Sequence, residues 1–429
     1  MELKNNIIQT LEKEVQPALG CTEPVAVALA VAIAVTYLDG ESIGKVNVQV
    51  SPNIFKNGLG VGIPNSSYIG LDIAAALGAI GGNPELGLKV LESINSIDEI
   101  RALQFIRDGK LSVQVKDTDS KILIIAYAES KNHYSKVTIK NRHDEVISVI
   151  KDGQVLLDKE ELLQMHENNV DLINQSSIKD IINSIEQMSY EELSFLKEGV
   201  KMNLKIAEAG LTQKSGIGVG AGLKKNIEDG VLADGLISQA MILTAAASDA
   251  RMSGVNLPVM SSNGSGNNGL TAILPIAAYA ELNNITDEEL VKALAISHII
   301  NCYVKKHIGR LSALCGCTIA SATGATAALA WLFGCDQTGI EGAMNNMIAD
   351  LSGAICDGAK VGCALKLSTA AYISVKYAML AKNNCIVPHN NGIISTSIEK
   401  TIDNLGRLSK EGMQLTDSVI LSIMKDMES

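Results

Sequence analysis

Aromatic residues make up only 3% of the 429-residue chain, and basic residues are outnumbered: 36 Lys and Arg against 47 Asp and Glu leave a net charge of −11. A protein that grips nucleic acid needs a basic face and rings on which bases stack. The chain offers neither, which excludes nucleic acid as an expected partner. Long apolar runs are also missing. The longest, Val25 to Leu38, is alanine-rich and shorter than the ~20 residues that span a bilayer, so it reads as a buried helix and no membrane partner is expected. The N-terminal stretch MELKNNIIQTLEKEV is amphipathic and acidic, without a signal peptide's apolar centre, and the chain is read as cytoplasmic. There is no internal repeat, no low-complexity segment, no serine-protease elbow and no lysine setting that marks a pyridoxal-phosphate site.

What is present is a large apolar fraction, 47% hydrophobic against 19% charged residues, with abundant Gly and Ala suited to close helix approach and backbone-lined pockets. The chain also holds eight cysteines, which in a long intracellular protein favour metal binding or catalysis over disulfides.

The organisation changes along the chain. Residues 2–15 form a first amphipathic helix, broken by Gln16 to Pro24. A buried helix then runs from about Val25 to Tyr37, with Thr22 as a candidate cap and Pro24 suited to its first turn. Lys45 to Val50 alternates as a strand, and helices are expected near 70–80 and 84–95. From Leu111 to Leu157, short β-branched alternating runs (LSVQV, ILIIAYA, KVTIK, EVISVI) predict an antiparallel sheet, with Asp152-Gly153 as a hairpin signal. After about residue 170 the strand signal ends. Ser189 to Glu192 and Thr286 to Glu289 are capping boxes, and long Ala/Leu/Ile stretches follow. The expected fold is α+β. A mixed helix and antiparallel-sheet region, residues 1–170, precedes a large all-α catalytic domain, residues 171–429.

Seven of the eight cysteines fall between Cys302 and Cys385. Cys315-Gly316-Cys317 and the C-x6-C of Cys356 and Cys363, beside Asp357-Gly358, point to an iron–sulfur or zinc site; the plain alternative is buried thiols. Structural zinc is often held by two C-x2-C knuckles, and none is present. Three cysteines around one cluster, leaving an iron open as a Lewis acid, suit the uneven spacing better.

Gly264-Ser265-Gly266-Asn267-Asn268-Gly269 matches G-x-G-x-x-G, and Gly216 to Gly222 is similarly glycine-rich. Neither sits in the βαβ unit that a dinucleotide site requires. Ser261 to Gly269 reads instead as a loop of N–H donors at a helix start, able to take a carboxylate or phosphate, or else as a polar turn. Cys21, just ahead of a helix, has either a lowered thiol pKa and a reactive role or a half-buried place in a turn. His307, in the polar stretch before Cys315, stands either near an anionic substrate or at a solvated helix end.

Together, Gly20-Cys21-Thr22-Glu23-Pro24, Ser262-Asn263-Gly264, Leu314-Cys315-Gly316-Cys317 and Ile355 to Lys360, continued by Cys363 to Lys366, resemble the L-cysteine desulfidase family, related to the iron–sulfur L-serine dehydratases. The likeness covers nearly the whole chain, in the expected order. It implies a 4Fe-4S cluster on three cysteines: Cys356, Cys363 and one of Cys315 and Cys317, with a lean to Cys315. It implies Cys21 as the base and the Ser262, Asn263 and Gly264 loop as substrate-binding. Cys302, Cys335 and Cys385 match no motif and read as structural. The implied reaction is β-elimination from L-cysteine to pyruvate, ammonia and hydrogen sulfide. An iron–sulfur L-serine dehydratase is the neighbouring alternative, though its Thr-Cys-Asp-Pro context is here Ile355-Cys356-Asp357-Gly358. A non-catalytic cluster carrier or redox sensor is the third, without a visible output domain. The expected partners are a small amino-acid substrate and, left open, further copies of the chain.

Overall fold

The alternating runs form one six-stranded sheet, in the order β3-β2-β4-β5-β6-β7. Its strands are β2 (Lys45–Val50), β3 (Leu111–Val115), β4 (Leu123–Glu129), β5 (Tyr134–Lys140), β6 (Val146–Lys151) and β7 (Gln154–Asp158). The computed structural model describes residues 2–159, 172–212, 215–309 and 311–428. Period-2 burial sets the inner face: Val46, Val48 and Val50 are buried while Lys45 is exposed. Asp152 and Gly153 both take positive φ, 48° and 83°, as a type I′ turn requires, and Lys151 faces Gln154 across the expected hairpin.

One edge departs from expectation. β2 and β3 run parallel, while the other neighbours are antiparallel. Parallel neighbours need a long crossover, and the chain between them supplies helices α4 (Leu71–Gly81) and α5 (Ser96–Arg107). The helix expected over 84–95 is a 3₁₀ turn, Pro84–Lys89, broken by Gly87 at φ 54°. The true helix starts later because Asn95 and Asp98 form a capping box. Against the inner face lies α2 (Thr22–Thr36), apolar on nearly every side and almost wholly buried.

The helical half has its own core, which also takes Ile7 and Leu11 of α1 (Glu2–Glu14) and Val15 after it. Its main members are α7 (Lys197–Thr212), α9 (Leu236–Met252), α10 (Gly266–Asn283), α11 (Asp287–Ile308), α12 (Ala322–Leu332), α13 (Gln337–Leu351) and α14 (Cys363–Lys382). Helix α3 (Pro52–Gly58) follows β2, α6 (Ile178–Glu186) precedes α7, α8 (Val219–Glu228) lies between α7 and α9, and α15 (Ile398–Arg407) and α16 (Thr416–Glu428) follow α14. The expected capping boxes are in place: Glu192 accepts from the Ser189 N–H at 2.9 Å, and Glu289 from that of Thr286 at 2.8 Å. The boundary expected at residue 170 lies among 160–171, outside the described residues. Among the described residues no helix is long and apolar enough to cross a membrane.

The helical half is not strand-free. A short strand, β8 (Pro258–Met260), pairs antiparallel with β1 (Pro17–Leu19), placing Leu19 opposite Pro258 and Pro17 opposite Met260. Three-residue strands are too short to show a period. This ribbon joins the N-terminal part of the chain to its middle.

Candidate active site

The β1–β8 ribbon delivers two loops side by side. After β1 come Gly20 and Cys21, and Cys21 is the residue that opens α2. After β8 come Ser261 to Ser265, and Ser265 caps α10. Backbone bonds tie them: Ser261 N–H donates to Gln16 O at 2.9 Å and Asn263 N–H to Glu14 O at 3.0 Å. Asn263 and Gly264 both take left-handed backbone, φ 48° and 73°, and the Gly264 carbonyl accepts from the Thr22 hydroxyl at 3.3 Å.

The cysteine segments are held the same way. Cys315 N–H donates to Ala354 O at 2.8 Å and Cys356 N–H to Ala313 O at 2.7 Å, a β-bridge between the two motifs. Cys363 begins α14, and Cys317 begins a π-helical turn, Cys317–Ser321. Under Cys356 lies Lys56, only 1% exposed, whose ammonium donates to Cys356 O at 2.9 Å and to Asp417 Oδ1 at 2.5 Å. Gly358 sits at φ 95°, and a Cβ there would stand 2.4 Å from Lys56 O, so the loop requires glycine.

These loops wall one small cavity of about 100 Å³. Cys21, Asn263, Gly264, Cys315, Cys317, Cys356 and Cys363 all line it. Ser262 is not among the lining residues; its hydroxyl bonds His298 and Asn301, at 2.9 and 2.8 Å, beneath the loop. None of Cys302, Cys335 and Cys385 reaches the cavity, and His307 meets Asp403 at 3.1 Å instead. The glycines at 218 and 220 give their N–H groups to Asp249, which ties that loop to α9.

The thiols influence one another. Cys315 and Cys317 Sγ are 3.2 Å apart. The bond from Cys317, with another from Thr318, outweighs burial and brings the Cys315 thiol down to about 6. Giving that bond, together with burial, pushes Cys317 well up. Burial, then the charge at Cys315, raises Cys356, and takes Cys363 to about 11. One thiolate therefore discourages the next, unless a cation sits among them and reverses the balance. Beside them Asp357 binds Lys360 and Lys366, so that despite burial its carboxyl falls to about 2.

Among the described residues no three of His, Cys, Asp or Glu converge as ligands of a single metal ion. A cluster makes a different demand, since each cysteine takes its own iron and the ligands spread around it. Four thiols lining one cavity, two of them 3.2 Å apart, fit a three-cysteine cluster in donor type.

Cys21 departs from the sequence expectation. The helix N-terminus does not lower its pKa; burial and the charge of Glu23 push the thiol well above its usual value, and it donates to Glu23 Oε2 at 3.0 Å. Burial works to raise Glu23 as well, but His143, the Cys21 bond and Arg251 outweigh it and keep Glu23 a carboxylate. The proton of the pair rests on sulfur and its negative charge on Glu23.

Sequence reading missed the groups that face the thiols. Arg251, only 3% exposed, lines the cavity from the end of α9, held by Asn267 Oδ1 at 3.0 Å and Gly20 O at 2.8 Å. Its Nε, Asn268 Nδ2 and Asn57 Oδ1 are buried without a hydrogen-bond partner among the described residues, as polar atoms awaiting a ligand would be. Glu23, His143 and Lys305 also line the cavity. Arg251 lies in a helix that reads as core, so only its being a buried cation in an apolar run could have marked it.

The fold brings together a candidate site lined by cysteine thiols and a buried arginine. The family model described as serine dehydratase alpha chain matches residues 87–422, and the chain belongs to that family. The match includes the four cavity cysteines of the helical half and begins after Cys21. Similar along almost their full lengths are UPF0597 proteins from Clostridioides difficile strain 630 (51% identical, 98% of this chain and 99% of the relative) and Alkaliphilus metalliredigens strain QYMF (50%, 98% and 95%). A UPF0597 protein of Clostridium botulinum strain Hall is 42% identical over 98% of this chain and 97% of its own.

Proposed function

We propose that the chain is a lyase that removes the β-substituent and α-proton of a small L-amino acid, with L-cysteine as substrate and pyruvate, ammonia and hydrogen sulfide as products. The observation that carries this reading is one cavity lined both by four thiols of the helical half and by Cys21, Glu23 and Arg251. Cys356, Cys363 and one of Cys315 and Cys317 would hold a 4Fe-4S cluster. When bound, such a cluster with one open iron supplies a Lewis acid for the leaving group. Arg251 would pair with the substrate carboxylate, and its planar fork suits that group. Asn268 and the loop at Asn263 and Gly264 add polar contacts that fix which face of Cα turns to Cys21. Cys21 then takes the α-proton as its own S–H proton passes to Glu23. Elimination leaves aminoacrylate, which tautomerises and hydrolyses in water.

The family match favours L-serine as the second reading, with water as the group lost through the same cavity. The test is direct. Protein reconstituted with iron and sulfide without oxygen is given L-cysteine or L-serine, and pyruvate is measured, with sulfide measured in the cysteine arm. Pyruvate and sulfide from cysteine at the higher kcat/KM support the first reading. Pyruvate from serine alone selects the second, and no pyruvate from either removes both.

A further inference from the structure

Proton abstraction at Cys21 leaves a proton in a buried place, and it must leave before the next turnover. Cys21 gives its S–H to Glu23 Oε2 at 3.0 Å, and Glu23 Oε1 accepts from Asn57 Nδ2 at 3.1 Å. His143 Nε2 stands 3.9 Å from that same Oε1. His143 is 4% exposed, yet it lines two cavities: the substrate cavity, and a second of about 210 Å³ whose other walls include Glu14, Gln16, Thr22, Arg142 and Asp144. His143 is thus a residue common to the linings of both cavities.

We propose that Glu23 is the terminal acceptor of the substrate's α-proton and that His143 conducts it into the second cavity. The step rests on the β-elimination reading above. The Cα–H electron pair becomes the Cα–Cβ double bond as the β-substituent departs with its own bonding pair. The α-proton goes to the Cys21 sulfur while the Cys21 S–H proton passes to Glu23, so the pair ends neutral. Glu23 returns to carboxylate by giving its proton to His143 Nε2, the ring releases one from Nδ1 to water in the second cavity, and exchange with water returns the remaining ring proton to Nδ1, so that Nε2 is open for the next turnover. The methyl carbon of pyruvate later takes one proton from water, which closes the balance. The 3.9 Å separation exceeds a hydrogen bond, and one water or a side-chain movement of about 1 Å closes it.

The experiment uses the reconstituted full chain. Glu23→Gln keeps shape but cannot accept the proton, and turnover is expected to fall about 10²-fold with iron content unchanged. His143→Ala is expected to lower kcat at least about tenfold with KM and iron unchanged, and added imidazole, entering through the second cavity, to restore it. His143→Gln serves where the alanine variant does not fold; it is expected to show the same loss of kcat, with a solvent deuterium isotope effect larger than that of the parent. Parent-like kcat in the His143 variants, or a loss that imidazole and solvent deuterium leave unmoved, overturns the relay while the parent still eliminates. A parent that makes no pyruvate instead overturns the reading beneath it.

Discussion

At the scale of residues, the four thiols of the helical half are not equivalent. Cys356 and Cys363 each approach the cavity alone, whereas Cys315 and Cys317 share one hydrogen bond and one direction. Replacing either of the first two by alanine is expected to abolish the cluster, read as loss of the brown colour and of iron per chain in protein purified without oxygen. The pair can substitute for each other in part. Cys315, which accepts the bonds of Cys317 and Thr318, is the readier thiolate, so Cys315→Ser is expected to lose more iron than Cys317→Ser; the reverse order assigns the ligand to Cys317. Arg251→Lys keeps charge but loses the fork that binds Asn267 and Gly20. Its expected effect is a KM raised about tenfold or more, with iron content kept, the scale of a lost charge-assisted hydrogen bond. An unchanged KM removes Arg251 from carboxylate binding.

At the scale of elements, what was legible in the sequence follows signal length. The five long strand runs and the glycine-flanked cysteine motifs were readable because alternation and loop chemistry are local. The β1–β8 ribbon was not, because three residues carry no period and its pairing spans most of the chain. Glu23 and Arg251 were hidden for another reason: both lie in apolar helices, and only the fold turns them toward one cavity. The cysteine loop depends on its support from α3. Gly358→Ala forces both a left-handed non-glycine residue and a contact with Lys56 O, a strain of about 1–3 kcal/mol, and is expected to weaken iron retention while leaving the far-ultraviolet circular dichroism unchanged. Full iron retention in Gly358→Ala means that the loop has slack. α11 supports the other wall. Asn301 donates to the Ser262 hydroxyl at 2.8 Å, and that hydroxyl is hydrogen-bonded to His298 Nδ1 at 2.9 Å. Burial holds His298 down to about 3. The unfolded chain therefore binds this proton first, and stability is lost as pH falls from about 6.5 toward 3, by about 1 kcal/mol per pH unit within that window. Urea unfolding of the iron-free protein is expected to show that slope and His298→Gln to reduce it; equal slopes in both proteins contradict the assignment.

At the scale of the whole molecule, one core lies under the sheet and one among the helices, and a third, smaller one holds Cys21, Cys315, Cys317 and Cys363; α2 and α10 start from the paired ends of β1 and β8. The base side of the cavity comes from the first part of the chain and the thiol side from the last, so the site exists only when both are folded together. That arrangement makes the central claim a separation of duties: the thiols of the helical half hold iron, and Cys21 moves the proton. Iron per chain and pyruvate formation, measured on the same anaerobic samples of Cys21→Ser and Cys356→Ala, test it most directly. The account predicts that Cys21→Ser keeps the parent's iron and loses about 10²-fold or more in turnover, since a serine hydroxyl is too weak an acid to stand in for the thiol, while Cys356→Ala loses both. Loss of iron in Cys21→Ser, or parent-like turnover in either variant, contradicts it.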